Sequence, residues 1–192
     1  IKGAALKDVE TGNILPLRNM LNIVRFKAEK IPPLGYKTYI PVDTIADNSS
    51  DLRIDRNQHI LENTLLKIRV DPGQGCISSI VDKKSGRELV KQDSKYGFGG
   101  YMYERFTKEI AAGYTDDYVK SGFEWALYEL GKPNLSDADY RRVQRQPMRI
   151  SYQEDPFKAS IILYAEKEDA SGHDYSLIIG LYQDQSFVEI TW

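Results

Sequence analysis

From Ile60 to Val90 the chain reads ILENTLLKIRVD, PGQG, CISSIVD, KKSG and RELV. In the longer runs apolar side chains recur at every second position, and the interruptions are made of Pro, Gly, Lys, Gln and Ser. A period of two puts alternate side chains on opposite faces of an extended chain, whereas a helix repeats about every 3.6 residues, so this stretch is confined to strands joined by short turns. Leu66, Ile68 and Val70 share one face. In the next strand Cys76, Ser78 and Ile80 fall on one face and Ile77, Ser79 and Val81 on the other. The expected unit is an antiparallel meander. The same pattern returns in MRISYQ, KASIILYAEKE, DYSLIIGLYQ and SFVEITW, joined by polar turns such as EDASGHD and QDQ. The predicted class is therefore mainly β, an antiparallel β-sandwich whose core holds Ile68, Val70, Ile77, Ile80, Ile162, Leu163, Ile178 and Leu181.

Upstream the strand runs are shorter. ALKDVETGNILPL reads as a hairpin turning at Thr11, Gly12 and Asn13, MLNIVRFKA as a strand, and YKTYIPV as a strand with Tyr36, Thr38 and Ile40 on one face. Between the last two lies EKIPPLGYK: Pro32 and Pro33 donate nothing to a ladder, and Gly35 is free to take the positive φ of a reversal. The polar DTIADNSSD then has the composition of a connection. These marks divide the chain into residues 1–45, part of a small β domain, and residues 46–192, a large sandwich domain. Within the second, 96–145 differs in character. YGFGGYMYERF interleaves aromatics with glycines, and in SDADYRRVQRQ the residue Ser136 is a credible N-cap, with Asp137 and Asp139 in a first helical turn and Arg141, Arg142 and Arg145 later. A helical insertion is expected there.

Charge and cysteine usage exclude several functions. Charged residues make up 28% of the chain and the net charge is -2, without the basic excess that duplex binding needs, so no nucleic-acid partner is expected. Cys76 is the one cysteine and can form no internal disulfide; beside Ile77 it reads as a small core residue. No apolar run approaches the roughly 18 residues of a membrane helix and no leader opens the chain, so a soluble protein without a membrane partner is expected, its compartment open. The chain starts without Met and stops in a strand, which reads as a piece of a longer polypeptide.

VETGNILP, IVRFKAEKIPPLGYKTY and ILENTLLKIRVDPGQGCISSIVDKKSGRELV, in that order and spacing, resemble the β-rich region that follows the catalytic domain in glycoside hydrolase family 38, the α-mannosidases. The resemblance covers residues 8 to 90 well and the strands after 146 loosely; YGFGGYMYERF and FEWALYELGKPNL look like an elaboration of bacterial relatives. It implies a small β domain closed by PPLGYKTY, then a large sandwich opened by an asparagine-containing strand, similar to that of sugar mutarotases and here incomplete. It also implies retaining hydrolysis of α-mannosides by carboxylates with a zinc ion, in an upstream α/β domain of the same polypeptide. No catalytic or metal-binding residue, and no cofactor, is expected within these 192 residues. His59 and His173 stand outside the family's metal pattern, and nothing matches the mutarotase site.

The carboxylate pairs Asp116/Asp117 and Glu166/Glu168 have the types needed for acid–base work, and equally those of a helix cap and a solvated strand face. One constellation suits carbohydrate. Aromatic faces stack on sugars while guanidinium and amide groups bond the hydroxyls, which singles out Tyr101, Tyr103, Arg105 and Trp125, the first three on one face if GGYMYERF is extended. The competing reading is that these aromatics pack the insertion onto the sandwich. The expected role is a noncatalytic sandwich supporting the catalytic domain and lining its sugar site. The alternatives are an independent carbohydrate-binding module, or a structural domain that forms a homodimer through an exposed sheet edge.

Overall fold

The computed structural model describes residues 4–20, 23–47, 49–107, 109–110, 113, 117, 140–144, 146–147, 149–166 and 173–192. Two antiparallel sheets form the main body. The first is a meander of β6 (Arg53–Asp55), β7 (Ile60–Glu62), β8 (Leu66–Asp71), β9 (Cys76–Asp82) and β10 (Arg87–Glu88), each paired with its neighbour in sequence. The second runs in order through β13 (Arg149–Glu154), β14 (Lys158–Ala165), β15 (Tyr175–Tyr182) and β16 (Val188–Thr191). Leu61, Leu66, Ile68, Val70, Ile77 and Ile80 of the first meet Ala159, Ile161, Leu163, Leu177, Ile179 and Leu181 of the second in one buried cluster. The sheets are thus the two layers of an antiparallel sandwich. Each such side chain contributes roughly 1.5–3 kcal/mol when taken fully out of water.

One register shift decides which side chains reach that core. Arg69 pairs with Ser79 but Val70 pairs with Ile77, leaving Ser78 as an extra residue in β9. The bulge brings Ile77 onto the face of Ile80, so strict alternation, which put these two on opposite faces, is corrected. Ile178 is a second correction: in β15 it is only half-buried, on the outer face, while its neighbours Leu177 and Ile179 are fully enclosed. The other expected core residues are buried. The run ILENTLLKIRVD is not one strand but two, broken at Asn63.

Asn63 is 1% exposed and uses its whole amide. Its Oδ1 accepts from the N–H groups of Leu65 (2.9 Å) and Leu66 (2.7 Å), and its Nδ2 donates to the carbonyls of Tyr182 (2.9 Å) and Gln185 (2.8 Å). One side chain therefore shapes the β7–β8 turn and ties it to the β15–β16 turn of the opposite sheet.

The N-terminal part forms a separate small sheet, β2-β1-β5, from β1 (Ala5–Asp8), β2 (Ile14–Pro16) and β5 (Tyr39–Val42). Its hairpin turns as the sequence implies, with Gly12 at φ 74°. Asp8, buried, accepts from the N–H groups of Glu10 and Thr11 and pairs with Lys37 at 2.9 Å; the Lys37 ammonium holds its carboxyl down at about 2. MLNIVRFKA is not a single strand: β3 (Arg18–Met20) and β4 (Ile23–Arg25) fold against each other. The positive φ expected of Gly35 falls instead on Leu34, at 57°; Gly35 is needed for space, since a Cβ there would stand 2.5 Å from Cγ of Pro32. Ion pairs join this part to the sandwich, Arg25 to Asp155 at 2.9 Å and Lys27 to Asp184 at 3.6 Å.

Among the described residues helix occurs only at 109–110, 113 and 117, and the helix read from Ser136 to Arg145 is corrected in its described part. Arg141–Gln144, read as the later turns of a helix, is a strand, β12, paired in antiparallel register with β11 (Met102–Arg105). The cap and dipole signals were local, and the cross-strand partners outweigh them: Glu104 lies opposite Arg142 and binds it at 2.6 Å. Ser136, Asp137 and Asp139 lie outside the described residues, as do Asp116 and Glu168.

Candidate functional site

After β10 the chain runs on along the outer edge of β9. Glu88 accepts from Ser79 Oγ and from the N–H groups of Ile80 and Val90, and Ile77 donates to the Phe98 carbonyl at 2.8 Å. Between these two attachments the edge of β9 stays open. A pocket of about 380 Å³ forms there, floored by Cys76, Ile77 and Ser78 and rimmed by Lys91, Gln92, Ser94, Lys95 and Tyr96. The bulged Ser78 presents its carbonyl to this space, where Gln92 Nε2 binds it at 3.1 Å.

The glycines of YGFGG explain how the far wall comes so close. A Cβ on Gly97 would lie 2.2 Å from Cys76 Sγ and 2.5 Å from its Cβ, so only a bare backbone fits over the thiol. Burial pushes the Cys76 thiol up, which agrees with a structural and not a reactive cysteine. Gly99 makes the following bend at φ 72°. Gln144, at the end of β12, fixes the wall: its Oε1 accepts from the Gly97 N–H at 3.0 Å and its Nε2 donates to the Gln74 carbonyl at 2.7 Å. Gly97→Ala is expected to lower stability by about 1–3 kcal/mol, because the β9 edge and the loop must part. A thermal melt checks this; an unchanged midpoint would show that the loop moves freely.

The electrostatics of the pocket are one-sided. Among the described residues no carboxylate lines it. Lys91 has Asp93 at 3.6 Å, while Lys95 lies 5.4 Å from the Tyr96 ring centre and, among the described residues, has no carboxylate partner. Nearby on the β11–β12 ribbon, Tyr140 donates to Glu104 at 2.7 Å beside Arg142; the two donors hold the Glu104 carboxyl low, and the carboxylate pushes the Tyr140 phenol up.

The residues chosen from sequence lie on the other side of that ribbon. β11 is extended, so Tyr103 and Arg105 alternate with Met102 and Glu104, whose cross-strand partners Gln144 and Arg142 mark the pocket side. Tyr101, Tyr103 and Arg105 are half-buried, and the Tyr101 ring stacks on Tyr175 of β15 at 4.5 Å. Trp125 lies outside the described residues. Sequence reasoning missed Gln144, Lys95 and Tyr96; the glycine run was the signal for a close approach, but nothing local named its partner.

Other candidate groups are already engaged. His59 Nδ1 is 2.5 Å from the Tyr152 hydroxyl, His173 is exposed, and among the described residues no three His, Cys, Asp or Glu side chains gather as a metal site. A zinc ion does not fit these residues. On the outer face of the second sheet, Glu189 binds Lys158 at 2.7 Å and Tyr182 at 2.5 Å, using both carboxylate oxygens; Lys158 and then Tyr182 hold its carboxyl low. Lys158 reaches across β15 over Gly180, where a Cβ would stand 2.4 Å from its Cε.

The fold and site define a two-layer antiparallel β-sandwich domain with a pocket at the edge of one sheet. The chain belongs to glycoside hydrolase family 38: residues 61–192 match the family model described as the glycosyl hydrolases family 38 C-terminal domain. No curated protein matches the chain, and no solved structure does.

Proposed function

We propose that this chain is the noncatalytic sandwich region of an α-mannosidase-like glycosidase, that it supports an upstream α/β catalytic domain of the same polypeptide, and that it contributes to the rim of its carbohydrate site. The family match over 61–192 carries this reading. In it, residues 1–45 belong to a small β domain beside the sandwich, and zinc and the catalytic carboxylates belong to the upstream domain. A purified preparation of the 192-residue chain is expected to leave aryl α-mannosides intact with or without added zinc. Zinc-dependent turnover by that preparation would overturn the reading.

Two observations favour additional roles. The open polar pocket on β9 suits an independent carbohydrate-binding function; Tyr101, Tyr103 and Arg105, across the β11–β12 ribbon from it, and Trp125 stand as sugar-contact candidates in their own right. β16 stands at the end of its sheet with Phe187 and Trp192 exposed on either side, which suits pairing with a second copy. Sedimentation at micromolar concentration is expected to show the dimer; one species near 22.0 kDa at every concentration rules it out.

A further inference from the structure

We infer that the pocket between the edge of β9 and the 90–98 loop binds a sugar carrying a negative charge. This rests on the carbohydrate reading above and adds the charge. Around the half-buried Tyr96 ring, Ser78 Oγ donates to the Arg69 carbonyl, Ser94 Oγ to the Tyr96 carbonyl and Gln92 Nε2 to the carbonyls of Ser78 and Val90, so these side chains turn acceptor oxygens, beside the Gln74 amide, toward the hydroxyls of a polyol. Its volume of about 380 Å³ is that of a small-molecule site. The wall is built rather than loose: Gln144 clamps Gly97, Gly97 lies against the Cys76 thiol, and Phe98 is paired with Ile77.

Charge selects within that class. In a chain where acidic residues outnumber basic ones, 28 to 26, this pocket has on its rim Lys91, paired with Asp93, and Lys95, and among the described residues no carboxylate is in its lining. A neutral sugar would leave the Lys95 ammonium with only the Tyr96 ring, whereas a carboxylate, sulfate or phosphate on the sugar gives it a charge-assisted bond. A bare anion, in turn, would leave the acceptor oxygens of Ser78, Ser94 and Gln92 and the face of the Tyr96 ring unused. A solvated rim lysine is the competing explanation, and binding data separate the two.

The test titrates the 192-residue chain by calorimetry with glucose, glucuronate, glucose 6-sulfate, glucose 6-phosphate and inorganic phosphate at fixed ionic strength. At least one charged sugar is expected to bind about tenfold more tightly than glucose and than inorganic phosphate, with the preferred acid group identifying the source of the charge. Lys95→Gln, an exposed substitution, is expected to remove that preference while the melting midpoint stays put. Equal affinity for inorganic phosphate, equal affinity for glucose, or no binding at all would each overturn the inference. Glucose binding without a charge preference leaves the carbohydrate reading standing, so the two failures are distinguishable. Because none of these measurements uses turnover, they are also independent of the glycosidase assignment.

Discussion

Asn63→Ala is expected to cost about 3–5 kcal/mol of folding stability. The substitution removes one buried amide from four backbone groups: the N–H groups of Leu65 and Leu66 in one sheet, and the carbonyls of Tyr182 and Gln185 at the end of the other, of which the Tyr182 carbonyl keeps only a 3.4 Å bond from the Gln185 N–H. Each buried orphan costs about 1–3 kcal/mol, and some of the four regain water at the sandwich end, which sets the range. Asn63→Asp separates bonding from packing because it keeps the shape. The new carboxylate retains the two acceptor bonds but turns a charge toward two carbonyls. Folding therefore raises the pKa of the introduced carboxyl, so the penalty is full above that raised value and shrinks as pH falls and a proton restores one donor bond. Denaturant melts of both variants across pH read this directly. A loss below 1 kcal/mol for the alanine variant, or no pH dependence for the aspartate variant, would show that the turn-to-turn tie is not holding the sheets.

Ile68→Ala is expected to cost about 2–5 kcal/mol, through lost burial and the cavity left between two sheets. Ile68 has no exposed surface and sits in the middle strand of the first sheet, opposite Ile80 and inside the shared cluster. The comparison that gives this meaning lies in β15. Ile179→Ala removes a fully enclosed side chain on the inner face, whereas Ile178→Ala removes a half-buried one on the outer face, and the first should destabilise clearly more. Equal losses at the two positions, or an unchanged midpoint for Ile68→Ala, would mean that the inner face has been assigned wrongly.

Much of the sandwich was legible because strands announce themselves locally. The alternation of Leu66, Ile68 and Val70, the PGQG and KKSG turns, and the Gly12 hairpin each depend on neighbours a few residues away, and each appears where expected. The errors have a different origin. Arg141–Gln144 carried helix signals, yet the residues that hold it as a strand are Met102–Arg105, far back in the chain. The outward place of Ile178 and the shared face of Ile77 and Ile80 follow from register, and register is a property of pairs of strands. The pocket was not legible either, because its wall forms where Gln144 meets Gly97, 47 residues apart in the chain.

Period, turn chemistry and word order are all written along one line, and from them alone came the mainly β class, the rhythm of the core strands, the turns at PGQG and KKSG and the resemblance to family 38. The tertiary structure alone decided what lies across from what: the bulge at Ser78, the burial of Asn63 between two turns, the exposed place of Leu34, and the pocket that Gly97 and Gln144 close over Cys76. Those features arise where segments distant in sequence meet. Their energy is set by desolvation and by the partner found for each polar group, and neither exists until the sheets have packed.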